Sequence, residues 1–232
     1  MSKIGAWLLN LFYPSLCPFC GKVVKEGICS PCREKKAPIA QPYCYKCGRP
    51  LSNPLQEYCR DCQKGTHTYD QGLSLWRHEG QVEHAIYQFK FHNKRYYGKV
   101  FGLEMAKVFG KQVADWKIEE IIPIPLHKSK LKKRGYNQSG LLADTIGFAL
   151  HLPVNHKKVV RLHNTKPQKE LGPGQRRDNL KGAFGVLSKE KKVQNVLLID
   201  DIYTTGNTMD SVARILKKAG TKQVYFLSLS IR

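Results

Sequence analysis

Two sets of residues in this chain have the types and spacing to do chemistry. The first is VLLIDDIYTTGNT, residues 196–208, where four apolar residues run into the adjacent carboxylates Asp200 and Asp201 and then into Thr204, Thr205, Gly206, Asn207 and Thr208. A turn of this kind at the start of a helix presents unpaired backbone N–H groups and the positive dipole end to an anion, with threonine hydroxyls as further donors. It suits a phosphate. The two aspartates repel that phosphate, so they need a partner that donates hydrogen bonds or carries positive charge. The vicinal hydroxyls of a ribose and a magnesium ion both qualify. The plainer alternative is an acidic strand end beside a capped helix. A magnesium-holding strand of a P-loop enzyme is a competing reading, disfavoured because no G-x-x-x-x-G-K-[ST] accompanies it.

The second set is the cysteines. All eight fall before residue 63, as the pairs Cys17/Cys20, Cys29/Cys32, Cys44/Cys47 and Cys59/Cys62. Two thiolates separated by two residues reach one ion, and four in tetrahedral array suit zinc. CPFCGKVVKEGICSPC and CYKCGRPLSNPLQEYCRDC repeat one plan, with Gly21 and Gly48 placed where the chain bends back under a metal. The repeat favours two sites with sequential pairing; interleaved pairing stays open. Closed all-cysteine sites leave no position for catalysis, so the metals are expected to be structural. A disulfide framework needs an oxidising compartment, and no export signal precedes the cysteines. The expected compartment is the cytoplasm.

These residues must be positioned by the rest of the 232-residue chain, which is 41% hydrophobic and carries a formal net charge of +21. That size suggests two small domains, a zinc-binding module over 1–65 and a second unit over 66–232. The charge favours polyanionic partners. No apolar run nears the roughly 18 residues of a membrane span. Ile4, Trp7, Leu8, Leu11 and Phe12 have helical spacing, expected as a short packed helix or a lipid-surface anchor. From residue 66 the pattern alternates. YDQGLSLWRHEG reads as a strand or hairpin edge, QVEHAIYQFKF and YGKVFGLEMAKVFGKQVAD as helices, and IEEIIPIP as a short buried strand. NQSGLLADTIGFALHL reads as a helix, VNHKKVVRL and VQNVLLID as strands, TMDSVARILKKAG as a helix facing Val212, Ile215, Leu216 and Ala219 inward, and TKQVYFLSLSI as the last strand. Alternation of this kind predicts an α/β fold, a mainly parallel sheet with helices on both faces. Residues 163–180, rich in Pro, Gly and charge, read as a long loop.

VLLIDDIYTTGNT closely resembles the phosphoribosyl-pyrophosphate (PRPP) binding motif of type I phosphoribosyltransferases, with Tyr203 where an aliphatic residue is usual. IIPIPLHKSKLKKRGYNQS, TKPQKELGPGQRRDNLKGAF and the four Cys-x-x-Cys pairs extend the resemblance over nearly the whole chain, to the ComF/GntX family. The resemblance implies a Rossmann-like phosphoribosyltransferase domain behind a zinc module. It implies Asp200 and Asp201 on the ribose hydroxyls, Thr204–Thr208 around the 5′-phosphate, and the turn Leu126-His127-Lys128 at the pyrophosphate. It also implies a loop around Gln168 and Arg176 that closes over the site. Lys128 and Arg176 are the expected catalytic cations beside the two aspartates, and Arg134 joins the PRPP-binding set. Magnesium is expected with PRPP. Arg134 and Asn137 belong to the family signature with no evident physical role. Lys128, Lys130, Arg134, Lys166, Arg176 and Arg177 lie in the two loops that could hold a pyrophosphate. Two functions follow. One is a phosphoribosyltransferase acting in natural transformation on an acceptor the residues do not identify. The other is a non-catalytic adaptor that uses the zinc module, HKSKLKKRGYNQ and Tyr136 to grip single-stranded DNA or a competence helicase, with the PRPP fold as sensor or scaffold.

Overall fold

The computed structural model describes residues 15–65, 67–163, 182–187 and 193–232. The expected helix over 4–12 therefore lies outside the described residues, as do Lys166, Gln168, Arg176, Arg177 and nearly all of the 163–180 loop. Helices α1 (Ser30–Lys35) and α2 (Arg60–Lys64) belong to the cysteine-rich segment. β1 (Gln71–Arg77), α3 (Gly80–Phe91), α4 (Tyr96–Asp115), β2 (Glu120–Pro123), α5 (Lys128–Arg134) and α6 (Gln138–Leu150) follow. Then come β3 (Val159–Arg161), β4 (Phe184–Val186), β5 (Asn195–Tyr203), α7 (Asn207–Lys218) and β6 (Gln223–Ile231). A four-stranded parallel sheet runs in the order β1-β6-β5-β2.

The unbroken apolar run of β5 is explained by burial on both faces. Leu197 and Ile199 join a core with Phe101, Met105, Leu142 and Ile146 of α4 and α6. Val196 and Leu198 join another with Met209, Val212, Ala213 and Leu216 of α7. Ala219 does not face inward as its spacing suggested. The helix ends at Lys218, and Ala219, as its C-cap, already turns to solvent. Val159–Arg161 is a strand, but it pairs antiparallel with β4 in a separate two-stranded sheet. Three residues around Gly185 gave β4 no readable periodicity.

The cysteine-rich segment packs against the sheet. Cys17, Phe19, Ile28 and Cys32 enter the α4/α6 core, where Phe19 meets Trp76 edge-on at 5.3 Å. Cys44, Cys47 and Cys59 enter the α7 core beside Tyr69 and Phe226. Backbone from the segment also covers the outer edge of β1: Gly72 N–H donates to the Lys46 carbonyl and Ile39 N–H to that of Leu75, each at 2.9 Å. That satisfies groups an edge strand would otherwise leave open to pairing. Among the described residues no helix is long and apolar enough to cross a membrane.

Candidate functional site

Within each cysteine group the metal-binding atoms lie within 4.8 Å of one another, Cys17, Cys20, Cys29 and Cys32 forming one group and Cys44, Cys47, Cys59 and Cys62 the other. Pairing is thus sequential. Cys20 and Cys29 sulfurs are 3.6 Å apart, and those of Cys47 and Cys59 3.7 Å. A tetrahedral ion with bonds of about 2.3 Å spaces its sulfurs about 3.8 Å apart, so both groups fit zinc. Both first pairs form the same knuckle. Gly21 and Gly48 take φ of +72°, and their N–H groups donate to the carbonyls of Cys17 and Cys44 at 2.9 and 2.8 Å. Protein purified without chelator is expected to carry two zinc ions per chain by atomic absorption, and stripping them should lower Tm. One ion or fewer, with the cysteines found as disulfides, would contradict this assignment.

The second site lies outside the carboxyl ends of β5 and β2, where parallel sheets place ligands. A cavity of about 1250 Å³ opens there, its floor formed by Asp200, Asp201 and the Thr204–Gly206 turn. Gly206 caps α7 with φ +78°, a conformation that side chains resist. Thr205 Oγ1 is buried and without a hydrogen-bond partner among the described residues, which suits a ligand that accepts from it. Asp200 Oδ1 accepts from Ser139 Oγ and from the Asp201 amide, each at 2.9 Å. Asp201 meets Lys90 Nζ at 2.7 Å. Burial, reinforced by Asp201, pushes the Asp200 carboxyl up to about 7.

That shift has a sign. The folded pKa lies above the ordinary 3.8, so the fold binds this proton more tightly than the unfolded chain. The contribution is full below about pH 4 and is lost as pH rises through 7. In magnesium-free buffer Asp200→Asn, which has no charge to desolvate, is expected to exceed wild type by about 2 kcal/mol at pH 8 and to match it near pH 4. Urea unfolding at both pH values measures this; equal stability at pH 8 would contradict it.

The signature KRGYNQS now has a physical reading. Gly135 ends α5 in the left-handed region. Tyr136 is buried and donates its hydroxyl to the Phe89 carbonyl, so it is not the exposed stacking surface its basic neighbours suggested. Asn137 Nδ2 donates to the Ile124 carbonyl at 3.0 Å, tying the start of α6 to the end of β2. Arg134 donates to Gln138 Oε1 at 2.9 Å and lies 4.9 Å over the Phe91 ring. Ser139 then reaches Asp200. The segment positions the acid and one wall of the cavity.

Leu126, His127 and Lys128 form the turn into α5, with His127 as its N-cap. They are not part of the cavity lining, which takes Ser129, Lys130, Lys133 and Arg134 from the same helix. Asn207 likewise begins α7 without lining the cavity, whereas Thr204, Thr205, Gly206 and Thr208 all do. Burial, with Arg161, Arg134 and Lys90 close by, pushes the Lys130 ammonium below the ordinary lysine value. Cations crowded together in this way are stabilised by a multivalent anion. Lys90, Ser139 and Arg161 were not singled out from the sequence. They reach the site from α3, α6 and β3, and only the fold brings them together.

Tyr203 lines the cavity from the core side, beneath the turn. It is buried, stacks on Phe226 at 4.9 Å with 3° between the rings, and shares a hydrogen bond of 2.8 Å with the Tyr69 hydroxyl. A Cβ on Gly206 would lie 2.7 Å from the Tyr203 hydroxyl, so the ring directly underpins the turn.

Residues 8–63 match the family described as Double zinc ribbon domain, and residues 151–229 the family described as Phosphoribosyl transferase domain. Competence protein F of Haemophilus influenzae is 31% identical over 213 residues, covering 90% of this chain and 92% of the relative. Competence protein ComFC of Bacillus subtilis is 30% identical over 203 residues, covering 84% and 80%. DNA utilization protein YhgH of Escherichia coli is 28% identical over 229 residues, covering 94% and 98%.

Proposed function

The chain belongs to the ComF family of competence proteins, with a type I phosphoribosyltransferase fold behind a double zinc ribbon, and from that premise we infer that it binds PRPP with magnesium and transfers its phosphoribosyl group. The observation that carries this reading is the junction of the Thr204–Gly206 turn with the acid pair, half-buried Asp200 and buried Asp201, in a cavity also lined by Lys90, Lys130, Lys133 and Arg134. Phosphate at one end of PRPP meets Thr204–Thr208. The ribose hydroxyls meet the carboxylates of Asp200 and Asp201, hard oxygen donors that also suit magnesium. Pyrophosphate falls toward Lys130, Lys133 and Arg134. Lys128 and Arg176 remain candidates for the same charge.

Bound magnesium would supply neutralising charge at the pyrophosphate. The chain's own contribution is orientation and electrostatics: Ser139 and Lys90 fix the acid pair, and cations around Lys130 favour departure of an anion from the ribosyl carbon. Such cleavage passes through an oxocarbenium-like state, which an acceptor then takes up.

The setting we propose is the cytoplasmic handling of imported DNA. The relatives' printed names supply it, and one structural feature supports it. Tyr87 and Phe91, about half exposed, stand 5.0 Å apart in the cavity wall beside Lys133 and Arg134. Aromatic steps among cations suit the bases and phosphates of a single strand. The same feature favours the second reading, an adaptor that grips single-stranded DNA or a competence helicase while PRPP reports metabolic state. PRPP consumption measured with a panel of bases, amines and single-stranded DNA separates the two. Acceptor-dependent release of pyrophosphate supports the transferase; PRPP binding with no release under any acceptor supports the adaptor.

A further inference from the structure

We propose that Arg49, a residue of the second zinc ribbon, positions the phosphate turn, so that this ribbon forms a working part of the binding site. The inference rests on the PRPP reading above and adds a residue from the other half of the chain.

Arg49 directly follows the knuckle Cys44-Tyr45-Lys46-Cys47-Gly48, and its carbonyl accepts from the Cys44 amide at 2.8 Å, so its backbone is part of the knuckle. The knuckle in turn is seated against β1 backbone to backbone. A Cβ on Gly48 would lie 2.8 Å from the Leu73 Cα and 2.9 Å from the Gly72 carbonyl oxygen. From this fixed base the guanidinium crosses to the end of the sheet. Nη2 donates to the Thr204 carbonyl at 3.1 Å and Nη1 to the Arg232 carbonyl at 2.5 Å. Arg232 N–H donates to the Tyr203 carbonyl at 3.1 Å, so one side chain joins the ends of β5 and β6 to the ribbon. Asp61 of the same ribbon stands 3.4 Å from Nη2 and adds opposite charge.

The grip on Thr204 matters because of where it falls. Its carbonyl and the Thr205 N–H belong to one planar trans peptide unit and point in opposite directions. Fixing the carbonyl toward Arg49 therefore fixes the first turn amide away from it. Arg49 also lines the cavity beside Thr204 and Thr205, and its Nε is buried without a hydrogen-bond partner among the described residues. A guanidinium so placed orients the turn and adds positive charge behind it. Lysine cannot do both, because a single ammonium lacks the fork that spans two carbonyls.

The test uses the full-length, zinc-loaded chain and calorimetric titration with ribose 5-phosphate, which has the sugar phosphate, and with pyrophosphate, which lacks it. Arg49→Ala is expected to weaken ribose 5-phosphate at least 10-fold and pyrophosphate less than 2-fold, and Arg49→Lys to restore only part of the loss. Arg33→Ala removes the first ribbon's ion pair with Glu104, 2.6 Å long, and should change neither probe. Unchanged ribose 5-phosphate binding in Arg49→Ala would overturn this inference alone. So would an equal loss for both probes, which marks general loosening of the fold. A wild-type chain that binds neither these probes nor PRPP would overturn the PRPP reading and this inference with it.

Discussion

Asp200→Asn/Asp201→Asn is expected to bind PRPP at least 100-fold more weakly than wild type, with little loss of stability. The size follows from the chemistry of the pair. Each ribose hydroxyl that donates to a carboxylate makes a charge-assisted bond, roughly twice as strong as a neutral one. Asparagine keeps the shape but loses the charge and presents N–H donors where acceptors are needed, so two favourable contacts become mismatches. Removing both charges also removes the anchor for the magnesium expected with PRPP. Stability should respond differently. Asp200 is held unfavourably, its pKa raised by burial and by Asp201, so amidation relieves a cost. Asp201→Asn loses the ion pair with Lys90, which offsets part of that gain. Calorimetry with PRPP together with urea unfolding measures both halves. A double variant that binds PRPP as wild type does would remove the site from Asp200 and Asp201.

The second large effect concerns folding. Tyr203→Ala is expected to lower stability by about 4 kcal/mol, the order found when a buried aromatic side chain is truncated to alanine. For a chain of this size that is a drop in Tm of about 10 °C. The ring lies flat on Phe226, and its loss leaves a cavity beneath Gly206 and strands the Tyr69 hydroxyl in a buried site. Tyr203→Phe separates the two contributions. It keeps the stack and removes the hydroxyl, and should cost about 1–2 kcal/mol because the Tyr69 hydroxyl loses its partner. Differential scanning calorimetry of both variants checks the ranking. A Tyr203→Ala protein melting within 2 °C of wild type would show that the ring does not support the turn. PRPP affinity should fall in Tyr203→Ala as well, because the turn would lose the surface it rests on.

The strand and turn of 196–208 were legible because their signal is local: an unbroken apolar run, two acids, and a glycine where a helix begins. The cysteine pairs were legible for a similar reason, since a two-residue gap and a glycine constrain the knuckle within five residues. The sequential pairing that the internal repeat favoured is the one the fold adopts.

The rest of the site depends on contacts between residues far apart in the chain. Lys90 meets Asp201 across 111 positions of sequence and Ser139 meets Asp200 across 61, and neither carries a local mark that distinguishes it from a solvated residue. The cations after β2 were legible as a group but not individually. Helix α5 begins at Lys128, and its turn brings Lys130, Lys133 and Arg134 to the cavity instead of the first lysine. Tyr136 looked like a stacking surface because it stands among cations. Its ring is instead packed beside Phe89, and the exposed aromatics that line the cavity, Tyr87 and Phe91, belong to α3. Tyr203 was unexplained for a related reason. Its partners Tyr69 and Phe226 lie on either side of it in sequence, 134 residues away in the first case, and meet only when the sheet forms.

In the proposed site the acid pair and the turn of residues 204–208 hold one phosphorylated sugar. Titration of the full-length, zinc-loaded protein with PRPP, with and without magnesium, tests it most directly. Saturable binding at one site per chain is expected, at least 10-fold stronger with magnesium. No detectable heat with PRPP in the presence of magnesium, from protein shown to be folded and loaded with two zinc ions, would contradict it.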